Sequence, residues 1–217
     1  MIDKIEIAKA LLGIKAVFLR PDEPFVWSSG IKSPVYCDNR LILSYPEVRE
    51  MVETGIAENV RERFGEAETL MGTSTAGIAH AAIAAYKLGL PMGYVRGGAK
   101  DHGRKNQIEG LCEPGTKVVV VEDLISTAGS ALECVGVLRA AGAEVLGVAS
   151  IFTYGMRSGL DHLAEAGVEN VSLTDFDTLV EVAAREGYIR PDDVARLLAF
   201  RANPSDESWI GAASSAE

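Results

Sequence analysis

Apolar positions follow a helical period in some segments of this chain and form short continuous runs in others. Residues 3–14 and 46–63 have helical spacing, and Pro46 suits the first turn of the second helix. After Thr69, short apolar runs alternate with helical segments. This alternation predicts an α/β fold with a mostly parallel central sheet flanked by helices, in which ligands bind beyond the carboxyl ends of the strands.

The clearest strand prediction is 117–121, which contains four consecutive valines. A parallel strand covered on both faces is expected to be apolar throughout, so this run is the predicted centre of the sheet. The other predicted strands are 69–71, 92–95, 145–152 and 171–173. The predicted helices of this region are 78–88, 129–141, 158–166, 175–186 and 191–202.

Two stretches do not fit the alternation. Residues 15–43 have little helical period and are rich in turn-forming residues, and residues 97–110 are a polar stretch of fourteen residues between two predicted strands. A loop of that length inside a compact domain is usually functional or disordered. Both stretches are therefore candidate parts of a functional site.

These patterns divide the chain into three parts. They predict an N-terminal segment over residues 1–45, a core domain over 46–203 and a C-terminal tail over 204–217. The tail has no periodicity, so we expect it to be loosely held, although Trp209 and Ile210 are apolar enough to dock.

The composition indicates a globular protein without a basic surface. Apolar residues make up 47% and charged residues 24% of the 217 residues, and the net charge is −10. Nucleic-acid binding normally needs a basic surface, and no apolar run approaches the roughly 20 residues that span a bilayer. The three cysteines lie far apart, which favours reduced thiols over a disulfide framework or a zinc site. We expect a cytoplasmic protein with no nucleic-acid or membrane partner.

The first candidate site is the strand–loop–helix VVVVEDLISTAGS, residues 118–130. Glu122 and Asp123 are expected at the carboxyl end of the apolar strand, and the small residues at 126–130 lead into the next helix. Backbone N–H groups of such a loop and the positive end of a helix favour a phosphate, whereas carboxylates suit sugar hydroxyls. A ribose 5-phosphate offers both groups. The plain alternative is a helix capped by Ser or Thr.

The second candidate is a cluster of basic residues at 96–105, which we call the basic stretch. Five side chains that can carry a positive charge lie within ten residues of an otherwise acidic chain: Arg96, Lys100, His102, Arg104 and Lys105. Mobile cations that close over a site can bind a diphosphate and neutralise its charge as it leaves. The plain alternative is a solvated surface loop.

Three motifs resemble those of the orotate phosphoribosyltransferases, a family of type I phosphoribosyltransferases. Residues 118–130 resemble the signature that binds phosphoribosyl diphosphate. The pattern Y-V-R-x-x-x-K-x-H-G at 94–103 resembles the catalytic loop of the family, and S-G-x-K-S-P-x-Y-x-D at 29–38 resembles its hood segment. The last motif is absent from purine phosphoribosyltransferases. The resemblance implies the type I phosphoribosyltransferase fold with a small N-terminal hood.

The resemblance also implies an activity. It is the magnesium-dependent transfer of phosphoribosyl from its diphosphate to orotate, in a homodimer whose loop 97–110 reaches into the partner's site. Lys100 and His102 would be catalytic, and Ser126 would contact orotate. No dedicated metal cage is visible, which fits Mg²⁺ held mainly by substrate oxygens and water. The implied contacts to phosphoribosyl diphosphate are Arg96, Lys100, His102, Glu122, Asp123, Leu124, Ile125, Ser126, Thr127, Ala128, Gly129 and Ser130.

Several positions depart from the family's pattern. Other members carry Lys where this chain has Ser28 and Gly97, and some have Tyr-Lys at Thr75-Ala76. Diphosphate binding by the turn in GTSTAGIAHA, residues 72–81, would then depend on backbone N–H groups and hydroxyls. The alternative for this segment is a capped core helix.

The resemblance further implies where orotate would bind. Val35, Tyr36 and Cys37 of the hood would lie near the pyrimidine. An orotate-binding Arg of some members aligns with Tyr154, and Arg157 is the candidate substitute for it.

Other interpretations stay open from the sequence. A purine phosphoribosyltransferase and a non-catalytic regulator that senses phosphoribosyl diphosphate are the two rival functions. His80 and His162 have no partners at metal-ligand spacing, so ordinary surface or packing roles are expected for both.

Overall fold

A computed structural model describes residues 2–27, 30–97 and 107–210 of the chain. Its helices are α1 (Lys4–Gly13), α2 (Pro46–Arg63), α3 (Gly77–Leu88), α4 (Gly129–Ala140), α5 (Arg157–Glu165), α6 (Phe176–Arg185) and α7 (Asp193–Ala202). Its strands are β1 (Val17–Leu19), β2 (Phe25–Val26), β3 (Lys32–Ser33), β4 (Val35–Cys37), β5 (Thr69–Thr73), β6 (Met92–Val95), β7 (Ile108–Glu109), β8 (Lys117–Ile125), β9 (Glu144–Thr153) and β10 (Asn170–Asp175). Short 3₁₀ helices span Asn39–Ser44 and Ser208–Ile210.

Six of the strands form the central sheet, in the order β10-β9-β8-β5-β6-β7. Neighbouring strands are parallel except for β7, which is antiparallel to β6. The prediction of an α/β fold with a mostly parallel sheet flanked by helices is confirmed. The chain moves from β5 to β6 in one direction and from β8 to β9 and β10 in the other. Ligands in such sheets bind where this direction reverses, which here is between β5 and β8.

The strand β8 is the apolar centre of the sheet, as predicted from its valines. Val119 and Val121 face the core that α1, α2, α3 and α6 share, whereas Val118 and Val120 face the core beneath α4. All four side chains are fully buried. Because alternate residues of a strand point to opposite faces, a run of four valines covers both layers.

The N-terminal helix α1 packs into the same core as the helices of the predicted core domain. Ile7 and Leu11 are fully buried in the cluster that also contains Ile56 of α2 and Leu179 of α6. The boundary at residue 45 therefore does not separate two hydrophobic cores.

The stretch 15–43 contains two small antiparallel pairs, β1 with β4 and β2 with β3. We call its described residues 17–27 and 30–38 the hood. Each strand has only two or three residues, which is too short to produce a recognisable alternation of apolar and polar positions.

The predicted tail is docked over part of its length. Trp209 is 2% exposed and packs edge-on against Phe200 of α7, with ring centroids 5.7 Å apart. Burial of a large aromatic ring offsets the entropy lost in ordering the segment. Residues 211–217 lie outside the described part of the chain.

Among the helices in the described ranges, none combines the length and the apolar character that crossing a bilayer requires.

The turn between β5 and α3 lies directly against β8. A Cβ atom on Gly77 would be 2.3 Å from the Val121 carbonyl oxygen and 2.5 Å from Thr73 Oγ1. Backbone cannot yield as a flexible side chain can, so only glycine allows this approach.

We therefore expect Gly77→Ala to lower the free energy of unfolding by about 2–3 kcal/mol, measured by urea denaturation. The matched control is Gly136→Ala inside α4, where a Cβ would meet no atom within 4 Å. That change should raise stability by about 0.5–1 kcal/mol because alanine is the better helix former. Equal stability of the two variants would rule out the close contact.

Candidate active site

Glu122 and Asp123 lie within β8, not beyond its end. The prediction that the strand ends at Val121 is wrong, because β9 continues to pair with β8 as far as Ile125. The other neighbour, β5, pairs with β8 only from Val118 to Val121. Residues beyond Val121 therefore have one edge without a strand partner, and a crevice opens along that edge.

Side chains satisfy the backbone along this open edge. The Asp123 N–H donates to Glu122 Oε1 over 3.0 Å, and the Asp123 carbonyl accepts from Asn39 Nδ2 at 2.7 Å. Thr73 Oγ1, at the end of β5, donates to Glu122 Oε1 over 2.6 Å. The acidic pair is thus held by the end of β5 and by the residue that follows the hood.

Glu122 is 5% exposed, and burial raises the pKa of its carboxyl to about 8. The hydroxyl of Thr73 favours the ionised form, and the neighbouring Asp123 opposes it. The Glu122 carboxyl is therefore largely protonated at neutral pH in the free protein. Asp123 instead lines a cavity of about 260 Å³, together with Cys37, Asp38, Arg40, Thr75 and Ala76.

The loop after β8 leaves the first turn of α4 without a side-chain cap. Ala128 is the N-cap residue, and no side-chain hydrogen bond caps this end, so the alternative of a Ser or Thr cap is wrong. Ala128 has φ +65°, a left-handed conformation that is uncommon for residues other than glycine. Thr127, Gly129 and Ser130 are exposed. The N–H groups at this helix end and the nearby hydroxyls are placed to bind an anion.

The loop is supported from behind by α5. A Cβ on Gly159 would lie 2.2 Å from the Ser126 carbonyl oxygen, so α5 and the loop are in direct backbone contact. His162 Nδ1 lies 3.0 Å from the Thr127 carbonyl oxygen, which requires the tautomer with a proton on Nδ1. No sequence signal indicates this contact, because an exposed helical histidine has no recognisable pattern.

The turn at the end of β5 faces the same crevice. Ser74 Oγ donates to the Val95 carbonyl and accepts from the Gly97 N–H at 3.2 Å, which ties the turn to the start of the basic stretch. The Ser74–Thr75 peptide is cis. No side chain caps α3, whose N-cap residue is Ala76, so the alternative of a capped core helix is wrong here too.

Arg96 is the one predicted cation of the basic stretch that lies in the described residues. Its Nε forms an ion pair with Glu109 Oε1 at 2.8 Å, and its backbone N–H donates to the Gln107 carbonyl over 2.8 Å. It also lines a cavity of about 210 Å³ with Thr73, Ser74, Val95, Gly97, Ser130, Glu133 and Cys134. Predicted residues outside the described ranges are Ser28, Lys100, His102, Arg104 and Lys105.

The end of the hood meets the acidic pair through Asn39. Cys37 Sγ donates to Asn39 Oδ1 at 3.3 Å, and burial raises the pKa of this thiol. Tyr36 is 42% exposed, whereas Val35 is fully buried, so only Tyr36 of these two presents surface to a ligand. Nothing in the local sequence marks Asn39 as the connecting residue.

Tyr154 and Arg157, the two candidate positions for binding the orotate carboxylate, differ in how far they are exposed to solvent. Tyr154 is buried among aromatic rings, with Phe152 at 5.2 Å and Trp27 at 6.0 Å between centroids. Arg157 has a side chain that is 82% exposed, and its Nε binds both oxygens of Asp161 at 2.8 and 2.9 Å. Arg157 would have to leave that pair in order to bind a ligand.

A buried histidine–glutamate pair joins α3 to α2. His80 Nδ1 is 2.6 Å from Glu53 Oε1 of α2, and both side chains are fully buried. Burial raises the pKa of Glu53. A packing role for His80 is confirmed, but its acidic partner was missed. The available signal was a glutamate on the apolar face of α2, next to Val52 and Ile56.

A parallel sheet with an uncapped helix end and two carboxyl groups at its direction switch is the arrangement expected of a phosphoribosyltransferase-type domain. The family model for the phosphoribosyl transferase domain matches residues 44–171. The orotate phosphoribosyltransferase of Bacillus cytotoxicus is 56% identical over 209 residues, which cover 96% of this chain and all of that protein. The chain belongs to the orotate phosphoribosyltransferase family.

Solved structures agree with this assignment. The crystal structure of orotate phosphoribosyltransferase from Aeropyrum pernix superposes with a TM-score of 0.74 at 33% identity, covering 84% of this chain and 99% of that one. Adenine phosphoribosyltransferase from Leishmania tarentolae has a TM-score of 0.55 at 21% identity, over 69% of this chain and 80% of that one. The latter likeness shows a shared fold alone.

The raised pKa of Glu122 makes stability depend on pH. The unfolded carboxyl ionises near the ordinary glutamate pKa of 4.5, whereas the folded one has a pKa of about 8. The folded state therefore binds more protons between these values, and stability falls as pH rises through them. We expect wild type to lose about 2–3 kcal/mol more than Glu122→Gln between about pH 6 and pH 8, measured by urea denaturation.

Glutamine retains the oxygen that accepts from Thr73 and from the Asp123 N–H but cannot ionise. Both proteins keep Glu53, so the difference between their pH profiles isolates Glu122. Parallel profiles would show that the Glu122 carboxyl titrates normally.

Proposed function

We propose that the protein transfers the phosphoribosyl group of 5-phospho-α-D-ribose 1-diphosphate to orotate, yielding orotidine 5′-phosphate and diphosphate. This is a step of pyrimidine nucleotide synthesis, and we expect it to take place in the cytoplasm. The observation that carries the proposal is the full-length similarity to an orotate phosphoribosyltransferase. The crevice beside β8 supplies the groups that such a reaction needs.

The sugar phosphate would bind at the end of β8. The loop from Ser126 to Ser130 would receive the 5-phosphate, since its helix end has no side-chain cap. Glu122 and Asp123 would accept hydrogen bonds from the ribose hydroxyls, with the backbone of Leu124 and Ile125 completing that side. A bound ribose gives Glu122 hydroxyl partners, which favours its ionised form.

The diphosphate would lie against the β5–α3 turn and the basic stretch. Thr75 and Ala76 offer the uncapped end of α3, and Arg96 would exchange Glu109 for a phosphate oxygen. Negative charge builds on the diphosphate as its bond to C1′ breaks, so cations placed there lower the barrier. Lys100 and His102 would supply those cations, and Lys100 is expected to matter most for the rate.

Magnesium is the proposed cofactor. In the described ranges, no three His, Cys, Asp or Glu residues cluster so as to hold a metal ion. The oxygen ligands at hand, Glu122 and Asp123, fit an ion that keeps most of its ligands from water and substrate phosphates. When bound, Mg²⁺ would neutralise part of the charge of the diphosphate.

Orotate would bind between the hood and the loop after β8. Tyr36 and Cys37 would line its ring, and Ser126 would donate a hydrogen bond to it. These groups would orient N1 of orotate towards C1′ on the face opposite the departing diphosphate. Holding both reactants in this geometry removes much of the entropic barrier.

A homodimer is the proposed assembly, with loop 97–110 of one subunit acting in the site of its partner. The family resemblance of residues 94–103 supports this arrangement. Each site would then combine the acidic pair of one chain with Lys100 of the other.

The acceptor can be tested directly. With phosphoribosyl diphosphate and Mg²⁺, we expect the protein to consume orotate and to leave hypoxanthine and xanthine unchanged in a spectrophotometric assay. A purine phosphoribosyltransferase would give the opposite result. Binding of phosphoribosyl diphosphate without turnover of any base would instead favour a sensing regulator.

Mixed dimers test the shared site. Lys100→Ala and Asp123→Asn should each lose most of kcat as pure proteins. If the loop acts in the partner's site, a mixed dimer has one site with both residues intact. An equimolar mixture after subunit exchange should then recover about a quarter of wild-type activity. A mixture as inactive as its components would show that each loop acts in its own subunit.

A further inference from the structure

Arg196 of α7 is a buried cation that joins three separate segments of the chain. Its side chain is 4% exposed. Nη2 donates to the Pro21 carbonyl at 2.7 Å, Nη1 to Asp22 Oδ1 at 2.8 Å, and Nε to the Trp209 carbonyl at 3.0 Å. Asp193, one helical turn earlier, accepts a further bond from Nη1 at 2.9 Å.

The segments that Arg196 joins come from opposite ends of the chain. Pro21 and Asp22 belong to the hood, and Trp209 belongs to residues 203–210, which we call the C-terminal strap. Every nitrogen of the guanidinium group has an acceptor, and the planar group fixes the directions of all these bonds. Arg196 therefore sets the distance between the hood, α7 and the strap.

A second set of contacts joins the same parts independently. The Trp27 ring of the hood packs edge-on against Phe200 of α7 at 5.7 Å, and Phe200 packs against Trp209 at the same distance. Trp27 also contacts Tyr154, at the end of β9, at 6.0 Å. Lys32 of β3 forms an ion pair with Glu207 of the strap at 2.8 Å.

The residues held by Arg196 lead directly to the proposed orotate site. Pro21 comes two residues after β1, and β1 pairs with β4 so that Phe18 is opposite Tyr36 and Val17 is opposite Cys37. Two residues after β4, Asn39 binds the carbonyl of Asp123. A shift of the hood at Pro21 would therefore move the strand that lines the base site.

The proposed sugar site has a different support. It is built from β8, α4 and the β5–α3 turn, and its link to the hood is the Asn39 hydrogen bond to the Asp123 carbonyl. The strap contacts of Arg196, Phe200 and Lys32 involve none of these elements. Displacement of the hood should therefore affect the two substrates unequally.

We propose that Arg196 and Trp209 are positioning residues that hold the hood over the base site and so determine the affinity for orotate. This role rests on the proposed function. It assigns to the C-terminal strap a part in acceptor binding, although the strap residues named here belong to neither proposed substrate site.

The test compares Arg196→Lys and Trp209→Ala with wild type in steady-state kinetics, varying each substrate in turn. Lysine keeps the charge beside Asp193 but cannot bind all the acceptors at once. We expect KM for orotate to rise about fivefold or more and KM for phosphoribosyl diphosphate to change less than about twofold. The control is Arg139→Lys in α4, whose arginine binds the carbonyls of Ala166 and Gly167 away from the hood. Both of its KM values should stay at the wild-type level.

The other outcomes overturn the proposal. Unchanged KM for orotate, or an equal rise of both KM values, would show that the strap serves stability only. If thermal melting shows that Arg196→Lys or Trp209→Ala does not fold, Trp209→Phe is measured in its place. We then expect KM for orotate to rise about twofold to threefold, and KM for phosphoribosyl diphosphate to change less. Failure of the proposed function can be told apart from failure of this positioning role. In the first case wild type itself would not turn over orotate, whereas in the second only the variants' KM values would differ from the expectation.

Discussion

The structure depends on the unequal pairing of the two edges of β8. One edge pairs with β9 as far as Ile125, whereas the other loses β5 after Val121. Backbone groups on the free edge need partners, and Glu122 and Asn39 supply them from their side chains. The end of the pairing thus creates the crevice, places the acidic pair along it and attaches the residue that follows the hood. The close approach of Gly77 to Val121 fixes where β5 turns away.

The sequence predicted the fold well because its main signals are local. Four valines mark β8, and apolar runs mark the other long strands, so the parallel sheet follows from periodicity. The predicted end of β8 was too early because the acidic residues Glu122 and Asp123 interrupt the apolar run. The actual end is set by pairing with β9, which lies later in the chain. The hood strands are too short for a pattern. Asn39 and His162 act through partners 84 and 35 residues away, which no local signal could indicate.

The charges of the site explain how an acidic chain can bind a polyanion. Burial raises the pKa of the Glu122 carboxyl and keeps it largely neutral at pH 7 in the free protein, which reduces repulsion of an approaching phosphate. Glu109 already balances the charge of Arg96. The remaining attraction comes from helix ends without side-chain caps and from the proposed cations of the basic stretch. Most of the positive charge would therefore meet the diphosphate, where negative charge grows during the reaction.

The two proposed substrate sites belong to different parts of the fold. The phosphoribosyl transferase domain family matches residues 44–171, which contain β5, β8 and α4 but neither the hood nor α7. The proposed sugar site therefore lies within the part that defines the wider class, and the proposed base site needs elements added at both ends of it. An adenine phosphoribosyltransferase shares the fold at 21% identity. On the proposed assignment, binding of the acceptor would depend on how firmly the hood and α7 are held to the common part. Asn39 attaches the end of the hood to β8 of the common part, and Arg196 joins the hood to α7 and the strap.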